Sequence, residues 1–427
     1  MSATLLITLL VLFALMGTPL FAIITAAAML GFYYADIDLI VIAIELYRIV
    51  DTPLLIALPF FTFAGYLLAQ SNTSQRLVSV TQALFGWMPG GLAIVAYVTC
   101  AFFTAFTGAS GITIVAIGAL LLPALIQAGY SEKFSLGLVT ASGSLGLLLA
   151  PSLPLILYGI IVQQLNIGQT VEIKDLFIAG IGPSLLMILL LSGWAAWHTR
   201  GNKIPTRKIS GDQVIAALSE AKWELPLPLV ILGGIYSGFF AISEAAAVTA
   251  LYLLLVEVFV YREIPLKKLP AVIRDSMMMV GGILLILGVS LAFTNFLVDA
   301  EIPMLLFNII QQHISNKFTF LILLNIILLL LGAILDIFSA LIIMVPLLLP
   351  VAIHYDIHPV HLGIIFLANM QIGYLTPPVG MNLFIASYRF HKPITELYRA
   401  SFPFIAVLLL ALVIITYCPI LTLGMIS

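Results

Sequence analysis

Long apolar runs, each interrupted by Gly, Pro or a polar residue, constrain this chain more than any other feature. Leu5 to Phe32, Leu176 to Trp197, Met277 to Leu297, Phe318 to Leu335 and Ile405 to Leu423 approach or exceed the roughly 20 apolar residues that carry an α-helix across a bilayer. In hydrocarbon every backbone N–H and C=O needs an internal partner, which leaves helices as the element such runs form. Only 8% of the 427 residues are charged, against about 25% in soluble domains, so a soluble fold is excluded. The net charge of −2 offers no basic surface for nucleic acid.

The N-terminal MSATLLITLLVLF has no basic n-region, and its apolar run passes Gly17 and Pro19 without a small-residue cleavage site. It reads as a retained first helix. Cys100 and Cys418 lie inside apolar segments and read as packing residues. Basic residues gather in three connectors: Arg200, Lys203, Arg207, Lys208 and Lys222; Arg262, Lys267, Lys268 and Arg274; Arg389, Lys392 and Arg399. The positive-inside rule puts all three in the cytoplasm. The connector at 166–175 lies one crossing before the first of them and therefore faces the other side. Segment 39–50 is expected to lie along the interface, with Glu45 and Arg48 among the headgroups. For 52–68, a re-entrant hairpin and a tilted span are both open.

Four interruptions stand out: TAFTGASG at 104–111, GSLGLLLAPSLP at 143–154, GAILDIFS at 332–339 and GYLTPPVGMN at 373–382. Irregular backbone at membrane depth persists only where protein or a water-filled cavity satisfies it. The interruptions also repeat. LLLP occurs at 120–123 and again at 347–350, an offset of 227, while Gly137 and Pro151 match Gly363 and Pro377 at an offset of 226. The connector after the first copy faces out and that after the second faces in, so the copies are inverted. Inverted repeats with discontinuous helices are a common secondary-transporter architecture.

A broken helix presents carbonyls at one end and N–H groups at the next, placing a cation site and an anion site side by side. Thr104, Thr107, Gly146, Leu149 and Pro151 lie at such places in the first copy, as do Gly332, Leu335, Gly373, Thr376 and Val379 in the second. Their carbonyl and hydroxyl oxygens suit sodium; the plainer reading is that Gly and Thr let helices pack closely. Asp336, deep inside an apolar run, reads either as a functional carboxylate or as a cap on the helix after the break. Glu244 reads as a capping or solvated residue. His354, His358 and His361 resemble a metal set, but Pro359 breaks their helical spacing and a solvated loop is expected. Trp87, Trp194, Trp197 and Trp223 sit near segment ends, as interfacial anchors do.

GASG at 108–111 resembles the surroundings of a rhomboid protease nucleophile, which would make Ser110 catalytic. That chemistry needs a histidine on another membrane helix, and the six histidines all lie in or beside connectors. No GxxxxGK[ST] loop is present to support ATP drive.

LLIALPFFTFAGYLL at 54–68, SGSLGLLLAPSLPLILYG at 142–159, GFFAISEAAAVTALYLLL at 238–255 and the two interrupted runs of the second copy resemble the large membrane subunit of tripartite ATP-independent periplasmic (TRAP) transporters. The resemblance implies an all-α polytopic elevator-type carrier in the bacterial inner membrane, driven by sodium and needing no other cofactor. Residues 1–51, 166–275 and 391–427 would form a scaffold, and 52–165 and 276–390 a mobile transport unit. A periplasmic binding protein would deliver an organic acid, and a small four-helix membrane subunit, expected as a separate polypeptide, would stiffen the scaffold. The family's sodium sites fall on the ten residues named above. TGAS at 107–110 and APS at 150–152 depart from the SGSS and PPS of many relatives. The substrate carboxylate is expected at the helix N-termini near Ser110, Asp336 and Asn382. A self-sufficient sodium and carboxylate symporter, or an anion exporter, is the alternative.

Overall fold

The structure is a computed structural model that describes residues 8–10, 12, 13, 16–48, 52–88, 90–167, 171–200, 210–314 and 316–426. The first seven residues of the N-terminal run, and Lys203, Arg207 and Lys208 of the first basic connector, lie outside the described residues. Among the described residues only helices and turns occur, and nine helical stretches are long and apolar enough to cross a bilayer. The chain is an all-α, multi-pass membrane protein.

Helices α1 (Leu20–Tyr34) and α2 (Ile40–Arg48) come first. The first repeat follows: α3 (Ala57–Gln70), α4 (Thr73–Phe85), α5 (Gly91–Thr107), α6 (Ser110–Gln127), α7 (Glu132–Ser142) and α8 (Leu153–Leu165). Between repeats lie α9 (Ile173–His198), α10 (Gly211–Glu220), α11 (Pro226–Tyr236) and α12 (Ile242–Leu255). The second repeat is α13 (Leu269–Asp299), α14 (Ile302–His313), α15 (Lys317–Ile334), α16 (Ile337–His354), α17 (Pro359–Gly373) and α18 (Met381–Phe390). The chain closes on α19 (Ile394–Tyr417) and the short α20 (Ile420–Leu423).

Two of the four interruptions are reversals rather than breaks in a through-going helix. Thr104 Oγ1 and Thr113 Oγ1 are 2.7 Å apart, whereas nine residues span roughly 13 Å along a straight helix. So α5 and α6 form a hairpin whose tip is Gly108 and Ala109; Gly108 sits at φ +64°, a left-handed turn that a side chain resists. The same holds for α15 and α16, because Lys317 Nζ donates to Asp356 O at 2.6 Å and the Phe320 and Tyr355 rings stack at 4.3 Å. Its tip is Leu335 and Asp336. The other two interruptions are in-line breaks, between α7 and α8 and between α17 and α18. Residues 52–68 show no reversal, since Pro53–Gln70 is one continuous helical span.

The hairpins enter from opposite sides. Lys392, in a basic connector, pairs with Glu132 beside the base of the α5–α6 hairpin. The base of the α15–α16 hairpin lies near the 166–175 connector, where Ile167 lines one cavity with Pro350 and His354 of α16. Inversion of the two copies is therefore carried by the packing as well as by the charges.

Four helix boundaries around the hairpins share a repeat register of 227. Helix ends at 107 and 334, starts at 110 and 337, ends at 127 and 354, and starts at 132 and 359 all differ by 227. The cis peptides preceding Pro151 and Pro378 do too, so the partner of Pro151 is Pro378, not Pro377. Gly137 and Gly363 are not equivalent. The register makes Ser144 and Gln371 counterparts, and Ser144 Oγ donates to Gln371 O at 3.4 Å. The copies thus meet at their own pseudo-twofold axis.

Burial follows from this crossing. In Glu132–Leu165, 89% of the most apolar window is buried, against 39–56% in the other spans, so the in-line broken helix is the centre of the molecule. Helices α9 and α19 flank it: Gly180 of α9 lies against Leu148 O, and Gly137 of α7 against Ala400 O. Trp194 of α9 packs on Phe134 and Phe404 at 5.5 and 4.7 Å. A buried polar chain joins the second repeat to α19, with Asn369 Nδ2 donating to Asn325 Oδ1 at 2.7 Å and Asn325 Nδ2 to Thr416 Oγ1 at 3.1 Å.

A second layer holds α1, α2, α3, α12 and α13. Phe32 of α1 meets Phe296 of α13 edge to face at 6.1 Å. Glu45 of α2 is buried and Arg48 exposed, with 3.6 Å between them. The amphipathic α4 bridges the layers, and its buried Arg76 meets Glu224 at 2.5 Å, Glu257 at 3.4 Å and Glu263 at 2.5 Å.

Candidate substrate and cation site

The two hairpin tips converge on one cavity of 560 Å³. Gly108 to Ile112 line it from the first tip and Asp336 to Phe338 from the second. Leu147 and Tyr374, counterparts in the repeat register, line it from the in-line breaks. Tyr66 and Gln70 of α3 and Met279 of α13 close it from the other layer. Among the described residues Asp336 is the one charged lining residue, and no lysine, arginine or histidine lines the space.

The two tips are not equivalent electrostatically. At the start of α16, Asp336 Oδ1 accepts from Phe338 N and Ser339 N, both at 3.0 Å, and Oδ2 accepts from Ser339 Oγ. Ile337 N donates to Tyr374 Oη at 2.6 Å. The N–H groups of that terminus are therefore occupied, and Asp336 acts as the cap. At the start of α6 the corresponding residue is Ala109, which offers no side-chain acceptor. The positive end of that helix faces the cavity with Ser110 and without a capping carboxylate, which is where an anion is best accommodated.

Replacing Tyr374 by phenylalanine removes the acceptor of Ile337 N and leaves a buried donor unmet. We expect a stability loss of about 1–3 kcal/mol, read as a lower midpoint of thermal unfolding in detergent.

The predicted cation-site residues gather in two counterpart places. In the first, Thr104 Oγ1 donates to Gly143 O at 2.8 Å, tying the hairpin to the in-line break. Gly146 lies against the same turn of α5, where a Cβ would come within 2.8 Å of Thr104 Cβ and 2.5 Å of Ala105 N. Thr107, one turn on, donates to Phe103 O at 3.0 Å and keeps its oxygen lone pairs available. Leu149 O accepts from Ser152 N at 3.0 Å across the break that contains Pro151.

In the second place, Gly332 and Gly373 touch backbone to backbone, as their counterparts Ala105 and Gly146 do. Thr376 N donates to Gly373 O at 2.8 Å, Thr376 Oγ1 to Ile372 O at 3.0 Å, and Gly380 N to Ala333 O at 3.0 Å. Leu335 opens the tip in extended conformation. The side chain of Val379 is 40% exposed, apart from the buried set.

Of the three residues expected at the substrate, Ser110 and Asp336 line the cavity and Asn382 does not. Asn382 is fully buried at the start of α18, its backbone N bonded to Tyr374 O at 3.2 Å. Tyr66, Gln70, Leu147, Met279 and Tyr374 escaped the sequence reading. Gly65 was their available signal, since it brings α3 onto Thr107, where a Cβ would stand 2.7 Å from Thr107 Cα.

Elsewhere Glu244 caps α12, accepting from Ala241 N at 2.9 Å. His361 departs from the expected solvated loop: it is buried, bonded to Thr422 Oγ1 at 2.8 Å and Thr416 O at 3.2 Å. Apolar helix packing, not the Pro359 turn, sets its environment. Among the described residues no group of three His, Cys, Asp or Glu is placed to hold a metal.

Inverted hairpins meeting in-line broken helices around one midplane cavity define a membrane transport protein. The family model for the tripartite ATP-independent periplasmic transporter, DctM component, matches residues 6–421, and the chain belongs to that family. It is 34% identical to the C4-dicarboxylate TRAP transporter large permease protein DctM of Rhodobacter capsulatus, covering 100% of this chain and 99% of that one. It is 31% identical to the ectoine/5-hydroxyectoine TRAP transporter large permease protein UehC of Ruegeria pomeroyi, over 98% and 97% of the two chains. With the isethionate TRAP transporter permease protein DctMQ of Oleidesulfovibrio alaskensis it shares 34% identity over 87% of this chain, which spans 58% of that protein's length. The solved YdaH transporter of Alcanivorax borkumensis superposes with a TM-score of 0.60 at 16% identity, over 87% and 88% of the chains, a likeness of fold.

Proposed function

We propose that this chain is the large permease subunit of a sodium-driven importer of an organic acid in the bacterial inner membrane. It works with a periplasmic binding protein and a separate small four-helix membrane subunit. The observation that carries the reading is the pair of counterpart oxygen-rich turns, at Thr104, Thr107 and Gly146 and at Gly332, Gly373 and Thr376, flanking a cavity with one uncapped helix N-terminus. Sodium at those turns completes the cavity electrostatically beside Asp336, and the substrate carboxylate sits at Ser110. Membership of the family supports the partners and the substrate class. The cavity supplies positioning and charge; the reading requires no bond-making step.

Movement of the cavity between the two faces is an elevator step. The packing supports a moving unit of both hairpins, both in-line helices, α9 and α19, sliding against α1 to α3 and α11 to α13. This division differs from the expected one in both directions: it takes α9 and α19 out of the scaffold expected for 166–275 and 391–427, and α3 and most of α13 out of the transport unit expected for 52–165 and 276–390. Backbone contact supports grouping α9 and α19 with the in-line helix, Gly180 of α9 against Leu148 O and Ala400 O of α19 against Gly137.

The test is uptake of labelled organic acids into liposomes holding this chain, with and without the small subunit, the binding protein and an inward sodium gradient. Uptake that needs all of them supports the proposal. Sodium-dependent uptake by this chain alone replaces it with the self-sufficient symporter. In the active system, Thr107→Ala and Thr376→Ala each remove one hydroxyl ligand to a cation. The sodium concentration for half-maximal uptake is expected to rise about tenfold, the equivalent of a charge-assisted bond of roughly 1.5 kcal/mol.

A further inference from the structure

Two helix N-termini stand on the wall of the cavity between the hairpin tips, and although they are counterparts in the repeat register they differ in what they can accept. At the start of α16 the first three N–H groups are taken, Ile337 N by Tyr374 Oη and Phe338 N and Ser339 N by Asp336 Oδ1. At the start of α6 no side chain takes the corresponding groups of Ser110, Gly111 and Ile112, all of which line the cavity. Ser110 is only 5% exposed, and its hydroxyl makes no hydrogen bond among the described residues. A buried hydroxyl left without a partner is costly. Beside the positive end of a helix, the partner that satisfies it is an anion.

The rest of the wall has no second place for a negative charge. Ile112, Val115, Leu147, Met279, Phe338 and Ile385 are apolar, and Tyr66 and Gln70 bring neutral groups that can meet a hydroxyl or keto oxygen but cannot cancel a charge. A second carboxylate at the α16 tip would find its N–H groups occupied and would face the carboxylate of Asp336. Like charges brought together away from bulk water repel. The charge balance agrees: one sodium at each of the two turns, set against Asp336, leaves a single positive charge, which one carboxylate cancels and two exceed. We propose that the substrate is a monocarboxylate with a neutral, largely apolar body, and that Asp336 discriminates against dicarboxylates. The inference rests on the reading of this cavity as the organic-acid site. An apolar cavity of ~150 Å³ takes up a benzene, so 560 Å³ has room for an acid of six carbons or more.

The test uses the full chain in detergent and saturating sodium, with and without the small subunit. The binding protein is left out, because its own selectivity would mask that of the cavity. Hexanoate, adipate and 6-aminohexanoate serve as probes, since they share one length and differ in a far end that is neutral, anionic or cationic. Affinities are read from the rise of the unfolding midpoint with probe concentration. Hexanoate is expected to bind about tenfold more tightly than either of the others. Ser110→Ala is expected to weaken hexanoate about tenfold, the loss of one bond to a charged group. Asp336→Asn keeps the cap, because asparagine caps as well as aspartate, and is expected to narrow the gap between adipate and hexanoate. Adipate binding as tightly as hexanoate, or a gap unchanged by Asp336→Asn, would overturn the inference and leave the organic-acid site standing. 6-Aminohexanoate binding as tightly as hexanoate or more so would overturn it in favour of a zwitterion. If none of the three binds, whether or not the small subunit is present, the site itself is wrong and the inference goes with it.

Discussion

Gly373→Ala is expected to lower substrate uptake by tenfold to about a hundredfold while the protein still inserts and folds. A Cβ at 373 would stand 2.5 Å from Gly332 C, 2.6 Å from Gly332 Cα and 3.0 Å from Ala333 N. These are backbone atoms of the opposing hairpin, so no side chain can swing away. The hairpin must shift. Overpacking of this kind costs about 1–3 kcal/mol, and at 1.4 kcal/mol per factor of ten the effect on a site held by the same contact follows. Gly146→Ala is expected to behave alike, because its Cβ would meet Ala105 N at 2.5 Å. Two helical glycines serve as controls: Cβ atoms at Gly193 and Gly281 would meet nothing within 4 Å. Alanine there should leave uptake unchanged and raise helix stability slightly. Uptake rates in proteoliposomes at matched protein content decide the matter. If Gly373→Ala transports at the normal rate, the close backbone contact is not part of the site.

These glycines also show how far the sequence could be read. GAILDIFS and GYLTPPVGMN are conspicuous because Gly, Asp and Pro interrupt apolar runs, and residues of both line the cavity. Their geometry is another matter. A reversal and an in-line break leave similar composition on either side, so TAFTGASG gave no sign that α6 doubles back on α5. That direction is set by Thr113 reaching Thr104 and by packing of the hairpin against α7 and α4. The register slipped by one for a related reason. Gly137 and Gly363 look like counterparts, yet each answers a local neighbour, Gly137 the backbone of α19 and Gly363 the ring of Tyr158. Asp336 was legible as a cap because its partners are two and three residues along the chain. Arg76 was not. Its three carboxylates lie 148 to 187 residues away, and nothing in TSQRLVSV distinguishes a buried guanidinium from a solvated one. Contacts between near neighbours were readable, and those that closure of the fold brings together were not.

Arg76 carries the largest stability prediction. Arg76→Ala removes the one guanidinium facing Glu224, Glu257 and Glu263, whose side chains are 4%, 0% and 17% exposed. Breaking a buried ion pair from one side costs about 3–5 kcal/mol, since the charges left behind have little water and no cation. Arg76→Lys should recover only part, because an ammonium cannot reach three carboxylates at once as the guanidinium fork does. Glu224→Gln in the Arg76→Ala background removes one carboxylate that has lost its cation and is expected to restore stability relative to Arg76→Ala alone. Acid should mimic the loss. Partial burial pushes the Glu263 carboxyl up, but its bonds from Arg76 and from Asn72 N outweigh this and hold it below the usual glutamate range. A group depressed in the folded state contributes stability at neutral pH that is lost as pH falls through its folded value. The unfolding midpoint of the unaltered protein should therefore drop on acidification below the ordinary carboxylate range. Arg76→Ala should show a smaller drop, because Glu263 has already lost its cation. If the two proteins unfold alike at neutral pH, the cluster holds α4 in place by packing alone.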